Sequence, residues 1–164
     1  IALAELAEHV LPLFDAEPTE ANAIHDALAR TRAYSAGESS AAVEISKRMI
    51  AVRAAGAATT PAGAAAARSM AQASAVAHMG AHALGAAAYA VKAVSLANPG
   101  DAESVADEIA WQVAQCTESE RSILRQLPPV GAESGGPLGP GLLTRGILGD
   151  TIREIQARIV SASN

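Results

Sequence analysis

Between Arg68 and Lys92 the chain runs for 23 residues, SMAQASAVAHMGAHALGAAAYAV, without one Asp, Glu, Lys or Arg. Alanine dominates this stretch, and alanine is the strongest helix former. A helix at a protein surface keeps one charged face, whereas a helix uncharged all round belongs inside its protein. The stretch therefore predicts a buried, small-residue helix sheathed by others. Its polar members, chiefly His78, His82 and Tyr89, are then cross-links between helices or the start of a site.

Composition extends the same argument. Forty-one of the 164 residues are alanine, and the aromatics are only Phe14, Tyr34, Tyr89 and Trp111. A strand-rich chain would carry more aromatic and β-branched side chains. Small side chains instead let helix axes approach toward the low end of the usual ~8–10 Å spacing. The length suits a domain with a proper core. The expected fold is all-α, a compact bundle of five or six helices around a central buried Ala-rich helix over 61–97.

Several function classes are disfavoured. The net charge is −5, Lys47 and Lys92 are the only lysines, and no basic run occurs, so a nucleic-acid partner is not expected. Cys116 is the single cysteine, which rules out an internal disulfide framework and a multi-cysteine metal knot. Residues 69–91 are long enough to cross a bilayer but poor in Leu, Ile and Phe, so no membrane span is expected. Residues 1–14 carry Glu5 and Glu8 and lack a basic start, unlike a signal peptide. A cytoplasmic location fits these features.

Local signals divide the chain. Leu3, Leu6, Ala7, Val10, Leu13 and Phe14 recur at helical spacing, and Pro12 should end or kink that helix near Val10. A second helix is expected from about Thr19, with Ile24, Ala27, Leu28, Thr31 and Tyr34 inward, an Asp26–Arg30 pair, and Gly37 as its stop. Ser39 or Ser40 can cap a third, with Ala42, Ile45, Met49 and Val52 inward. Thr60-Pro61 opens the Ala-rich helix. Gly80 and Gly85 within it should let another backbone come close. Asp101 can cap the next helix, with Val105, Ile109, Val113 and Cys116 inside, and Thr117 with Glu120 forms a capping-box pattern that allows a break and restart there. The apolar row continues through Ile123, Leu124 and Leu127.

Four prolines and five glycines fill positions 128–141, which predicts a loop or linker. The expected organisation is a core domain over 1–127, this linker, and a last amphipathic helix within 142–164. Asp150 would cap that helix, with Ile152, Ile155, Ile159 and Val160 on one face. It would dock on the core or on a second copy as a homodimer.

The candidate chemistry centres on one stripe. On a continuous helix His78, His82, Gly85 and Tyr89 share a face, with Ser74 a turn earlier. Buried imidazoles need hydrogen bonds, and Glu5, Glu8, Asp26, Asp107 or Glu108 on neighbouring helices are candidate partners. The sharper reading is a metal-dependent or small-molecule enzyme, because histidines at i and i+4 can hold zinc or another divalent metal. Met79 stands where such a motif carries its general base, and His9 or His25 would have to supply a third ligand. Trp111 reads as core filler or as a binding hot spot. Cys116 reads as a small core residue.

Four segments together resemble the immunity-five-like family of bacterial polymorphic toxin systems. They are AEHVLPLF at 7–14, TRAYSAGE at 31–38, AARSMAQASAVAHMGAHALGAAAYAVKA at 66–93, and Trp111-Gln112 followed by Leu127-Pro128. The family usually carries a run Asp-x-Arg-Pro-Arg before its second helix. This chain has EPTEANAIHDAL there, with His25 and Asp26 at that location. The resemblance implies a helical, non-catalytic binding protein that neutralises a partner toxin by covering its active surface. The acidic balance suits a basic toxin such as a nuclease. Candidate binding residues are His78, His82, Tyr89, Lys92, Trp111 and Gln112. No catalytic residue and no cofactor is expected, with a metal at His78 and His82 as the alternative.

Overall fold

The computed structural model describes residues 2–161. Ile1 and residues 162–164, the outer ends of the two terminal units, lie outside the described residues, as do the side chains of Ala2 and Leu3. Helix α1 (Ala2–Val10) gives way at Pro12 to a 3-10 turn, Leu11–Leu13, because proline brings no N–H to the next turn. Helix α2 (Pro18–Ser35) starts on its proline and stops at Gly37, whose φ is +77°. There the Gly37 N–H donates to the Tyr34 carbonyl and the Glu38 N–H to that of Ala33, the paired bonds of a Schellman stop. Ser40 caps α3 (Ala41–Lys47), and α4 (Met49–Ala55) follows after a break at Arg48. Thr60 caps α5 (Pro61–Ala75), Asp101 caps α7 (Ala102–Gln115), and a full capping box at Thr117 and Glu120 opens α8 (Glu118–Leu124). Between α5 and α7 lies α6 (His82–Ala97), and α9 (Gly146–Ser161) comes last. The fold is all-α, with no strand among the described residues.

The expected single helix over 61–97 is two. Residues 76–81 form a turn in which the N–H groups of His82, Ala83 and Leu84 reach back only three residues. A continuous helix of that length would run ~55 Å, beyond the ~40 Å breadth of a compact chain of this size. Breaking it near Gly80 lets α5 and α6 fold back and pack on each other, the most extensive helix pair in the fold. Gly80 therefore meets nothing within 4 Å of a Cβ position. A Cβ on Gly85 would stand 2.5 Å from Oε1 of Gln72, so a side chain rather than another backbone uses that space. With a further break at Arg48, and the restart that the Thr117 capping box allows, the five or six expected helices become nine among the described residues.

The α5–α6 hairpin is the centre. On one side α6 meets α1, α7 and α9 through a core that includes Leu6, Val10, Leu84, Val91, Ile109, Ile152 and Ile159. On the other, α5 meets α2 and α4 through Ile24, Ala27, Leu28, Ala51, Ala54 and Met70. Hydroxyls tie the layers: Ser69 donates to the Ala86 carbonyl at 2.8 Å, and Thr31 and Ser74 lie 3.4 Å apart.

Of the expected inner row of residues 42–52, Ile45 is half-buried and the other three face outward. Ala42 is exposed, and Met49 and Val52 are each 46% exposed. Ala51, Ala54 and Ala55 take the inside, because the close α4–α5 approach admits only small side chains. Glu44 is buried there instead, between Arg30 and Ser39.

Residues 128–141 form no helix but are tied to α9. Gln156 donates to the Pro128 carbonyl and accepts from the Val130 N–H, and Leu138 is buried. Helix α9 starts earlier than its expected cap: Gly146 opens it, and Asp150 lies within, paired to Arg153 at 2.7 Å. Its Leu148, Ile152, Ile155 and Ile159 are buried against the rest of the chain, while Val160 is exposed. Among the described residues no helix is long and apolar enough to cross a membrane.

Candidate functional site

The helix break dissolves the expected His78–His82–Tyr89 stripe. His78 lies exposed in the 76–81 turn, and His82 is the half-buried first residue of α6. Their rings remain neighbours, with centroids 6.4 Å apart and planes tilted by 36°. The partner of His82 is none of the anticipated carboxylates. Its Nδ1 donates to Oε1 of Gln72 at 2.7 Å, across the hairpin from α5. Tyr89 is buried two turns further along α6, and Lys92 is half-buried beyond it. Neither proposed third metal ligand joins the pair, because His9 pairs with Glu108 and His25 is exposed on α2. Among the described residues no group of three or more His, Cys, Asp or Glu is placed to hold a metal ion.

Burial first, and the nearby His78 imidazole second, hold His82 below the ordinary histidine value of 6.5. The folded state thus binds this proton less readily than the unfolded chain. Its contribution to stability is complete above about pH 6.5 and is lost as pH falls through that value toward the lower folded one. Thermal melts of the native chain and His82→Asn, from neutral pH down to about pH 5, should show a flatter acid slope for the variant. Parallel slopes would exclude His82 as a source of acid lability.

A second constellation connects the surface to the interior. On α1, His9 sets its half-exposed ring against Trp111 of α7, with centroids 4.0 Å apart and planes tilted by 41°. Its Nδ1 lies 3.1 Å from Oε2 of Glu108, whose side chain is 3% exposed. The other oxygen, Oε1, accepts from Nε2 of Gln112 at 2.7 Å, and the same Nε2 approaches the Ala87 carbonyl at 3.2 Å. An exposed imidazole, a buried carboxylate and a buried amide thus join α1, α7 and α6 in one chain of bonds. Of the six candidate binding residues, Trp111 and Gln112 fall here. The spacing of Glu108 and Gln112, four apart on one helix, is the sequence signal for half of this network. Its other half needs α1 and α7 side by side, which no local pattern reveals.

Gln112 also lines a cleft of about 210 Å³ bounded by the 76–81 turn, α6, α7, α8 and α9. Its walls are almost wholly apolar, with Leu84, Val113, Leu124 and Ile155 prominent. Cys116 lies on the wall, and burial foremost, then the Glu120 carboxylate, pushes its thiol up from the ordinary value. A thiol so placed stays protonated at neutral pH and is a poor nucleophile. The arrangement is suited to binding.

On the outer side of α7, Glu103 and Asp107 are exposed at four-residue spacing, in line with half-buried Trp111. This presents one aromatic beside two carboxylates on a regular helix.

Residues 3–119 match the family model described as "Imm-5 like putative immunity protein". The match takes in α1 to α7, and with them both histidine constellations. No curated protein and no solved structure matches the chain.

Proposed function

The chain belongs to the Imm-5 like immunity protein family, and from that premise we propose that it is a non-catalytic binding protein that neutralises a partner toxin by covering the toxin's active surface. The family match over residues 3–119 carries the reading. The surface chemistry supports it: the chain is acidic on balance, and the Glu103–Asp107–Trp111 row sets carboxylates beside an aromatic anchor. Such a face attracts a basic partner, a nuclease for example, and gives it one side chain to bury. His9 stiffens that anchor by stacking on it, so little side-chain freedom is lost on binding.

The test is purification of the native complex from cells that carry the neighbouring genes. A toxin encoded next to this chain should co-purify and lose its activity when bound. Trp111→Ala should weaken that complex by about 2 kcal/mol or more, roughly thirtyfold in Kd. The variant should keep its helical content, because Trp111 is only partly buried. A neighbouring toxin that ignores the chain counts against the function. An unchanged Kd for Trp111→Ala counts only against this face.

A further inference from the structure

We propose that the outer face of α3 and α4 receives the α7 row of a second copy of this chain, so that copies associate head to tail. This does not rest on toxin binding, although both contacts would use α7; it stands on two exposed faces of opposite charge.

Charge is segregated along the chain. Residues 45–100 carry Lys47, Arg48, Arg53, Arg68 and Lys92 and not one Asp or Glu, whereas residues 101–120 carry six carboxylates and no Lys or Arg. The fold sets the two charge classes on opposite sides of the α5–α6 hairpin: α4 packs on α5 and α2, and α7 packs on α6 and α9. Lys47, Arg53, Glu103 and Asp107 are all exposed. Among the described residues none of the four is in an ion pair.

Apolar surface accompanies the charge. Val43 is 44% exposed, and Met49 and Val52 are each 46% exposed. Met49, Val52 and Arg53 share one face of α4, and Lys47 ends α3 two residues before Met49. With alanines inside and its bulkiest apolar residues outside, α4 reverses the ordinary pattern of a surface helix. The α7 row supplies the complement. Glu103 and Asp107 would meet Lys47 and Arg53, and Trp111 would lie against Met49 and Val52, whose thioether and methyl groups suit an aromatic ring. An aromatic anchor flanked by opposite charges is the usual build of a specific contact. The isoleucine row of α9, the other amphipathic face, is buried within its own chain. Because the two faces differ and lie on opposite sides, the contact repeats from copy to copy and does not close at two.

Sedimentation velocity of the full chain alone tests the proposal. At about 0.1 M salt the average mass should rise with concentration up to about 1 mM, without a plateau at two copies. It should fall back at about 1 M salt, where the screening length drops from about 10 Å to about 3 Å. Lys47→Glu with Arg53→Glu reverses one face, and Glu103→Lys with Asp107→Lys reverses the other. Each pair alone should weaken self-association at least tenfold. The second pair takes the net charge from −5 to −1, two changes of +2 each, so general repulsion between copies would predict the opposite. Mixed one to one, the two double variants should associate again, because each brings the face that the other has lost. Val52→Asp and Trp111→Ala give the same readings should a reversed pair fail to fold. A native chain that stays at one copy up to about 1 mM, or that stops at two, overturns the proposal. So does a folded double variant that associates like the native chain, or a mixture no more associated than its components.

Discussion

Ile152→Ala is expected to destabilise the protein by about 2–5 kcal/mol. Ile152 is 0% exposed and belongs to the core built around α6, together with Leu84, Val91, Ile155 and Ile159. Truncation removes apolar surface from that core and leaves a cavity that the neighbouring helices only partly close. The effect bears on more than packing, because α9 lies beyond the 3–119 match to the family. A helix merely tethered by the Pro/Gly segment would unfold without taking α6 with it. A helix that completes the α6 core would not. Urea unfolding should show a lower midpoint with an unchanged slope, the sign of a two-state loss of stability. Val160→Ala on the same helix is the control: Val160 is 61% exposed, and its truncation should stay within about 0.5 kcal/mol. Equal small effects at both positions would mean that α9 adds nothing to the stability of the core.

The parts of this fold that were legible in the sequence are those specified within one turn of chain. Ser40, Thr60, Asp101 and Thr117 each cap a helix with their own side chains, and each stands beside a helical run in the sequence. Pro12 ends α1, and Asp26 pairs with Arg30 at 2.9 Å. The isoleucine row of α9 is also local, because three large residues at helical spacing leave little choice of face. Alanine-rich helices remove that signal. In α4 the bulky Met49 and Val52 point out and the alanines point in, because the separation of two helices, a tertiary quantity, decides which size fits. The break at 76–81 was hidden for a related reason: alanine favours helix on both sides of Gly80, and only the dimensions of the whole molecule forbid one rod. The site inherited that error, since the His78–His82–Tyr89 stripe presumed an unbroken helix. His82 found Gln72 across the hairpin, and Glu108 found His9 from α1, pairings that depend on which helices fold side by side.

Glu44→Ala should cost about 2–4 kcal/mol, far more than the loss of an ordinary surface pair. The Glu44 side chain is 5% exposed and that of Arg30 is 12% exposed, with Nη1 and Oε2 3.3 Å apart. The other Glu44 oxygen accepts from Ser39 Oγ at 2.7 Å. Arg30 also holds exposed Asp26 through Nε, while its Nη2 is buried without a partner. Removing the Glu44 carboxylate leaves a largely buried guanidinium with one solvent-facing counter-ion, and that uncompensated charge is the source of the loss. By contrast, the Arg32–Glu8 pair is about half exposed on both sides and should be worth at most about 1 kcal/mol. The distinction is measurable as a double-mutant cycle. Arg30→Met with Glu44→Leu removes both charges and keeps apolar bulk, so the pair should recover most of what Glu44→Ala loses. The cost of Glu44→Ala should also change little with added salt, since ions screen exposed charges far more than buried ones. A loss below about 0.5 kcal/mol, or one that salt erases, would place Glu44 in the class of surface ion pairs. It would also remove the electrostatic reason why α3 turns this residue, rather than Val43, toward the interior.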